Sequence, residues 1–214
     1  METWKTLQEA ILRGDATKVV EIAEDLLSQG APPAEILNLG LVQGLEKVGD
    51  SFAAGDLFLP EVMMSARAVQ QGIERLEPVL ARAGVEPIGS VLIGTVKGDL
   101  HDIGKNIVAM MLRGAGFRVR DLGIDVAPER FVAEVREGAF QVVALSTLLV
   151  TSLPWTRKTI EALAEAGLRD RVKVLVGGAA LDPRRAQEIG ADGYAPDAAR
   201  AVTVCRELIG AGRG

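Results

Sequence analysis

Two domains of different class are predicted for this chain. The first is an N-terminal antiparallel four-helix bundle, and the second is an α/β domain built on a doubly wound, five-stranded parallel sheet. Three observations carry this reading. Apolar residues recur in steps of three and four as far as Leu80. That period breaks at Ala83-Gly84-Val85-Glu86-Pro87-Ile88-Gly89. Beyond the break, short apolar runs alternate with helical patterns. The expected boundaries are residues 1–83 for the helical domain, 84–89 for the linker and 90–214 for the α/β domain.

The bundle reads helix by helix. Residues 4–13 form a short amphipathic helix. Asp15 is a candidate cap for the next, whose apolar side is Val19, Val20, Ile22, Ala23, Leu26 and Leu27, and Gln29-Gly30 ends it. Pro32-Pro33 opens a third at the turn where proline is tolerated, carrying Ile36, Leu37, Leu41, Leu45 and Val48. Phe58-Leu59-Pro60 introduces the fourth. Its residues Val62, Ala66, Val69, Ile73, Leu76 and Leu80 make a bundle seam.

In the second domain the strand candidates are residues 90–96, 118–122, 141–146, 172–176 and 193–195. The helix candidates are 103–114, 128–137, 153–166, 183–189 and 197–209. Two of the strands, around Val91-Leu92-Ile93 and Val142-Val143-Ala144-Leu145, are almost continuously apolar, as a sheet covered on both faces requires. A flavodoxin/Rossmann-like strand order, 2-1-3-4-5, is expected. In such sheets ligands sit beyond the carboxyl ends of the strands where the order reverses, here between the first and third. The segments after those two strands, around Asp99/His101 and Ser146–Ser152, should therefore face one crevice.

Composition excludes several classes. The net charge of -5 leaves no basic footprint for nucleic acid. No apolar run is long enough for a membrane span, and the start does not read as a signal peptide. The single cysteine, Cys205, allows no internal disulfide, suits a reducing cytoplasm and falls in a helical pattern as a core residue.

Chemistry concentrates in Gly98-Asp99-Leu100-His101-Asp102-Ile103-Gly104, between a strand and a helix. It holds the only histidine, so a histidine pair or a zinc site built from several is excluded. The spacing is wrong for a P-loop, because five residues separate the glycines and Asn106 follows Lys105. The dinucleotide fingerprint fails too, since Asp99 and His101 stand where close-approach glycines are needed. An imidazole beside a carboxylate suits a metal, because fixing the far N–H sets the tautomer and raises ligand basicity. The bland alternative is a helix-start Asp beside a bystander His.

Asp-x-His-x-x-Gly in this position resembles the signature of the cobalamin-binding module found in methionine synthase, the B12-dependent mutases and the small corrinoid proteins of methyl-transfer systems. The resemblance implies that His101 is the lower axial ligand of cobalt and that Asp99 hydrogen-bonds the other imidazole nitrogen. Gly98, Leu100, Asp102, Ile103 and Gly104 would line the cofactor with them. Ser146 and Leu148 match a Ser-x-Leu motif, with Thr151 nearby, and Ser152 matches the hydroxyl that completes a His–Asp–Ser chain. Ser152 also precedes Leu153-Pro154, so a plain helix cap stays open for it. Gly177-Gly178 resembles the family's Gly-Gly motif, where missing side chains allow close approach. Tyr194-Ala195 resembles its last strand, closing around the cofactor tail. Phe58, Leu59, Met63 and Met64 resemble the helix of the cap that covers the upper corrin face, and bundle core is the alternative for them.

By this resemblance the chain is a stand-alone corrinoid protein that binds cobalamin, as methylcobalamin or another corrinoid, through His101 with the cofactor's own base displaced. It would carry a methyl group between a donor-specific methyltransferase and an acceptor methyltransferase using tetrahydrofolate or a thiol. It would not be catalytic by itself. A reductive activation protein is a further expected partner, and nucleic acid and membrane are not. A B12-binding sensor acting through a separate partner is the alternative.

Overall fold

Five parallel strands form the sheet of a computed structural model, β1 (Ser90–Thr95), β2 (Arg118–Asp121), β3 (Val142–Ser146), β4 (Lys173–Gly177) and β5 (Gly193–Ala195), in the order β2-β1-β3-β4-β5. The structure describes residues 2–210. Met1 and residues 211–214, the ends of the two expected domains, lie outside the described residues. Two units are distinguished: residues up to Ile88 together with Met110–Gly116, and Gly89–Ala109 together with the residues from Phe117 on.

The helical unit contains α1 (Glu2–Leu12), α2 (Ala16–Ser28), α3 (Pro33–Glu35), a π-helical stretch Ile36–Val42, α4 (Gln43–Ala54) and α5 (Leu59–Arg82). The N-cap of α2 is Asp15, whose carboxylate accepts from the Lys18 N–H. The third predicted helix is not uniformly α. Its wide turns hold Gly40, and Gly44 follows one turn later. A Cβ at either would stand 2.5 Å from Leu7 Cδ2 or Ile11 Cδ1, so these glycines let α1 pack on bare backbone. At the start of α5 the Phe58 N–H donates to Glu61 Oε2 at 2.7 Å, one half of a capping box. Of the predicted seam Val62, Ala66, Val69, Leu76 and Leu80 are buried, and Ile73 is half-buried. Leu7, Ile11, Val19, Ile36 and Leu41 are fully buried beside them, each worth about 1.5–3 kcal/mol in apolar burial.

The sheet unit is β1 (Ser90–Thr95), α6 (Ile103–Gly114, its last turns counted with the helical unit), β2 (Arg118–Asp121), α7 (Pro128–Glu137), β3 (Val142–Ser146), α8 (Leu153–Glu165), β4 (Lys173–Gly177), α9 (Pro183–Glu188), β5 (Gly193–Ala195) and α10 (Ala198–Gly210). Prolines occupy the first turns of α7, α8 and α9, where no amide hydrogen is missed. Alternation along the strands divides the core. Leu92, Val143, Leu145, Val174 and Val176 pack with Phe131 and Val135 of α7, Ile160 and Leu163 of α8, and Ala186 of α9. Leu175 belongs to the other face, where α10 brings Val204 and Leu208 against Gly193. Cys205 is fully buried there as predicted, and burial pushes its thiol up to about 12.

Candidate functional site

The loops after β1 and β3 meet where the strand order reverses, and one carboxylate joins them. Asp99 is 0% exposed. Its Oδ1 accepts from the His101 backbone N–H at 3.1 Å and lies 2.7 Å from His101 Nδ1. Its Oδ2 accepts from the Leu148 and Leu149 N–H groups at 2.7 and 3.0 Å, and from the Ser152 hydroxyl at 3.0 Å. Burial alone would raise this carboxyl's pKa. The hydrogen bonds from the Leu149 amide, the His101 ring and the His101 and Leu148 amides outweigh it and hold the group well below the usual carboxylate range.

An ionised carboxylate only accepts, so Nδ1 carries the proton facing it and neutral His101 keeps its lone pair on Nε2. The ring is presented outward, with its side chain 53% exposed. The backbone beneath is fixed by buried Thr95, whose hydroxyl donates to the His101 carbonyl at 2.9 Å. Gly98 turns the chain at φ 79° and passes 3.7 Å from the Trp155 ring, measured from where a Cβ would stand.

The remaining expected residues fall into groups. Leu100 (66%), Ile103 (67%), Leu148 (41%), Leu149 (39%) and Val150 (67%) leave large apolar surface exposed on the same two loops and at the start of α6. Asp102 accepts from the Asn106 side chain, and Gly104 has open space where a Cβ would be. Ser146 pairs in register with Gly177, and Thr151 is exposed. The Ser152 hydroxyl makes no cap bond to α8. It lies within reach of Asp99 and of the Leu149 carbonyl, and with one proton it donates to one at a time.

The two glycines at the end of β4, Gly177 in its last position and Gly178 after it, meet the protein's own backbone. A Cβ on Gly178, at φ 115°, would stand 2.2 Å from the Thr147 carbonyl oxygen, and one on Gly177 would stand 2.8 Å from that of Ala195. Tyr194 is half-buried, its hydroxyl donating to the Leu181 carbonyl at 3.3 Å. In the helical unit Phe58, Leu59, Met63 and Met64 are exposed at the start of α5, so none of the four is bundle core.

Sequence reasoning missed three residues around the loop: Asp125, Asp121 and Lys105. Asp125 accepts from the Gly98 amide, and Lys105 is buried against Asp121. A lone lysine among the apolar positions of the helix after His101 was the available signal.

The donor set limits what can bind. Among the described residues no group of three or more His, Cys, Asp or Glu side chains could hold a bare metal ion. One imidazole nitrogen, stiffened by a buried carboxylate and set among exposed aliphatic side chains, suits a metal that arrives already held in a macrocycle with apolar faces. A corrinoid fits that description.

Comparison with known proteins agrees. Models of the B12 binding domain match residues 89–203 and residues 3–77. The chain is 42% identical over 207 residues to a corrinoid protein of Desulfitobacterium hafniense, covering 95% of this chain and 96% of that protein. It is 43% identical over 201 residues to dimethylamine corrinoid protein 3 of Methanosarcina acetivorans, covering 94% of each. A chain of the methanol:cobalamin methyltransferase complex from Methanosarcina barkeri superposes with a TM-score of 0.84 at 30% identity, over 98% of this chain and 80% of that one.

Proposed function

The chain belongs to the B12-binding corrinoid proteins, and from that premise we propose that it binds cobalamin through His101, with the cofactor's own base displaced, and carries a methyl group between two methyltransferases. The observation that carries the reading is the Asp99–His101 pair, with Nδ1 held at 2.7 Å and Nε2 free at an exposed apolar surface. Bound, the corrinoid supplies a cobalt that accepts and yields the methyl group. The chain's residues set its lower ligand. Asp99 holds the Nδ1 proton and the ring angle, and the Leu148 and Leu149 amides with the Ser152 hydroxyl hold Asp99.

The assignment extends to further residues. Leu100, Ile103 and Gly104 border the ring. Ser146, Thr151, Gly177, Gly178, Tyr194 and Ala195 belong to the tail site, and Phe58, Leu59, Met63 and Met64 to a helical cap of residues 1–83. Exposure of the four cap side chains supports that role. One methyltransferase is specific for the donor, and the other passes the methyl group to tetrahydrofolate or a thiol. The names of the dimethylamine corrinoid relative and of the methanol:cobalamin methyltransferase complex support the donor-specific partner. A reductive activation protein completes the set, in the cytoplasm. Among the described residues no helix is long and apolar enough to cross a membrane.

The test is spectroscopic. Wild-type chain titrated with methylcobalamin should displace the lower base and take on the spectrum of a protein-ligated form. His101→Ala should keep corrinoid bound without that ligand. Identical spectra for the two would defeat the axial-ligand assignment. Loss of the methyl group on adding an acceptor methyltransferase and its substrate separates a carrier from a sensor.

A further inference from the structure

The last residue of β2, Asp121, and the loop that follows it, residues 122–127, have no part in the reading above, yet together they grip the His101 segment at both ends. Asp125 adopts φ 52°, alone among the described non-glycine residues in having a positive φ. That conformation is unfavourable for a residue with a Cβ, although Asp is among those that tolerate it. Its carboxylate accepts from the Gly98 amide at 2.7 Å, and its own amide donates to the Asp99 carbonyl at 3.1 Å. Both bonds fall on the turn that aims Asp99.

The second grip is on the helix that follows His101. Lys105, in the first turn of α6, is 3% exposed. A lysine is buried to that degree only when paired. Its Nζ donates to Asp121 Oδ2 at 2.5 Å and to Asn106 Oδ1 at 2.6 Å. The other oxygen of Asp121 accepts from the Gly123 amide at 2.9 Å, at the start of the same loop. Asn106 in turn donates to Asp102 Oδ2 at 3.0 Å. Two sets of polar contacts therefore hold the segment, Asp125 on Gly98 and Asp99 at one end and the series Gly123, Asp121, Lys105, Asn106 and Asp102 at the other, joined by the backbone from Gly123 to Asp125.

We infer that Asp125 is a positioning residue for the His101 imidazole, with the Asp121–Lys105 pair as its counterpart, so that the end of β2 and the β2–α7 loop together clamp the His101 segment at both ends. The inference rests on the reading of His101 as axial ligand. A metal–nitrogen bond tolerates displacements of only a few tenths of an ångström. Where Nε2 points depends on the Asp99 carboxylate, and where that lies depends on the backbone that Asp125 holds. Without the clamp, Asp99 shifts relative to the Leu148 and Leu149 amides and the ring loses its fixed direction.

The experiment titrates cofactor-free protein with methylcobalamin and reads the spectrum of the base-displaced form, alongside circular dichroism and amide exchange at Gly98 without cofactor. Asp125→Gly keeps the left-handed backbone free of strain and removes only the acceptor. It should bind in the base-displaced form about tenfold more weakly, the lower end of the range for residues that orient a metal ligand. Its Gly98 amide should exchange faster. Asp125→Asn, which still offers an oxygen to Gly98, should restore most of the affinity. Asp121→Asn, which loses the ion pair, should weaken binding in the same direction. Asp125→Gly with wild-type affinity and spectrum, or Asp125→Asn as weak as Asp125→Gly, overturns the clamp. If Asp125→Gly does not fold, wild-type behaviour of Asp121→Asn overturns it. A wild-type chain that leaves the base in place, or a His101→Ala variant that matches wild type, brings down the ligand reading itself.

Discussion

At the scale of the residue, Asp99 explains why a carboxylate and not an amide stands before His101. Five donors converge on its two oxygens: the His101 amide and ring, the Leu148 and Leu149 amides, and the Ser152 hydroxyl. An asparagine has one oxygen and would turn an NH2 group toward at least two of those donors. In a fully buried position a donor facing donors costs about 1–3 kcal/mol for each bond left unmade. Asp99→Asn should therefore lose at least about 2 kcal/mol of stability in urea unfolding. Its affinity for methylcobalamin in the base-displaced form should fall roughly 10–100-fold. Wild-type values for both would mean that the Asp99–His101 contact orients nothing. Ser152 is the gentler case, because its proton can turn to the Leu149 carbonyl when it leaves Asp99.

At the scale of the element, glycines on the two sides of the site do opposite things. The Cβ of Gly178→Ala would press on the Thr147 carbonyl from a φ of 115°. A loss of about 2–4 kcal/mol in chemical unfolding is expected, from strain and the displaced loop together. Gly104→Ala meets nothing within 4 Å in the protein. It should leave stability unchanged or slightly raised, since alanine favours the helix, while weakening methylcobalamin binding if the macrocycle passes over that turn. A Gly104→Ala variant that binds as wild type would remove Gly104 from the cofactor's border. Strand order and the meeting of the two loops could be read in the sequence, because continuous apolar strands and a strand–turn–helix motif are local signals. The π-helical turns at Ile36–Val42 could not, since they answer to Leu7 and Ile11 packing on Gly40 and Gly44 across the bundle. Nor could Asp125, whose partners Gly98 and Asp99 lie more than twenty residues earlier. The Ser152 hydroxyl fitted either of two roles on paper, and only its distance from Asp99 separates them.

At the scale of the whole molecule, ligand binding and stability are one measurement. Whatever binds the native state and not the unfolded chain stabilises it, by about 2.7 kcal/mol at a free concentration one hundred times the dissociation constant. The residues assigned to the lower ligand and tail lie in the sheet unit, and those assigned to the cap lie in the helical unit. The two tryptophans report on the units separately, Trp4 in α1 and Trp155 in α8. Chain labelled with 5-fluorotryptophan should give one fluorine resonance for each, and urea unfolding can be followed at both. With saturating methylcobalamin the Trp155 transition should move to higher urea. The Trp4 transition should move with it only if Phe58, Leu59, Met63 and Met64 touch the cofactor. In His101→Ala the Trp155 shift should shrink without vanishing if the residues assigned to the tail hold the cofactor. A Trp155 midpoint indifferent to methylcobalamin would show that the sheet unit does not hold the corrinoid. A Trp4 midpoint that stays put while Trp155 moves would take Phe58 and the three exposed residues of α5 out of the cap role and leave them for a partner protein.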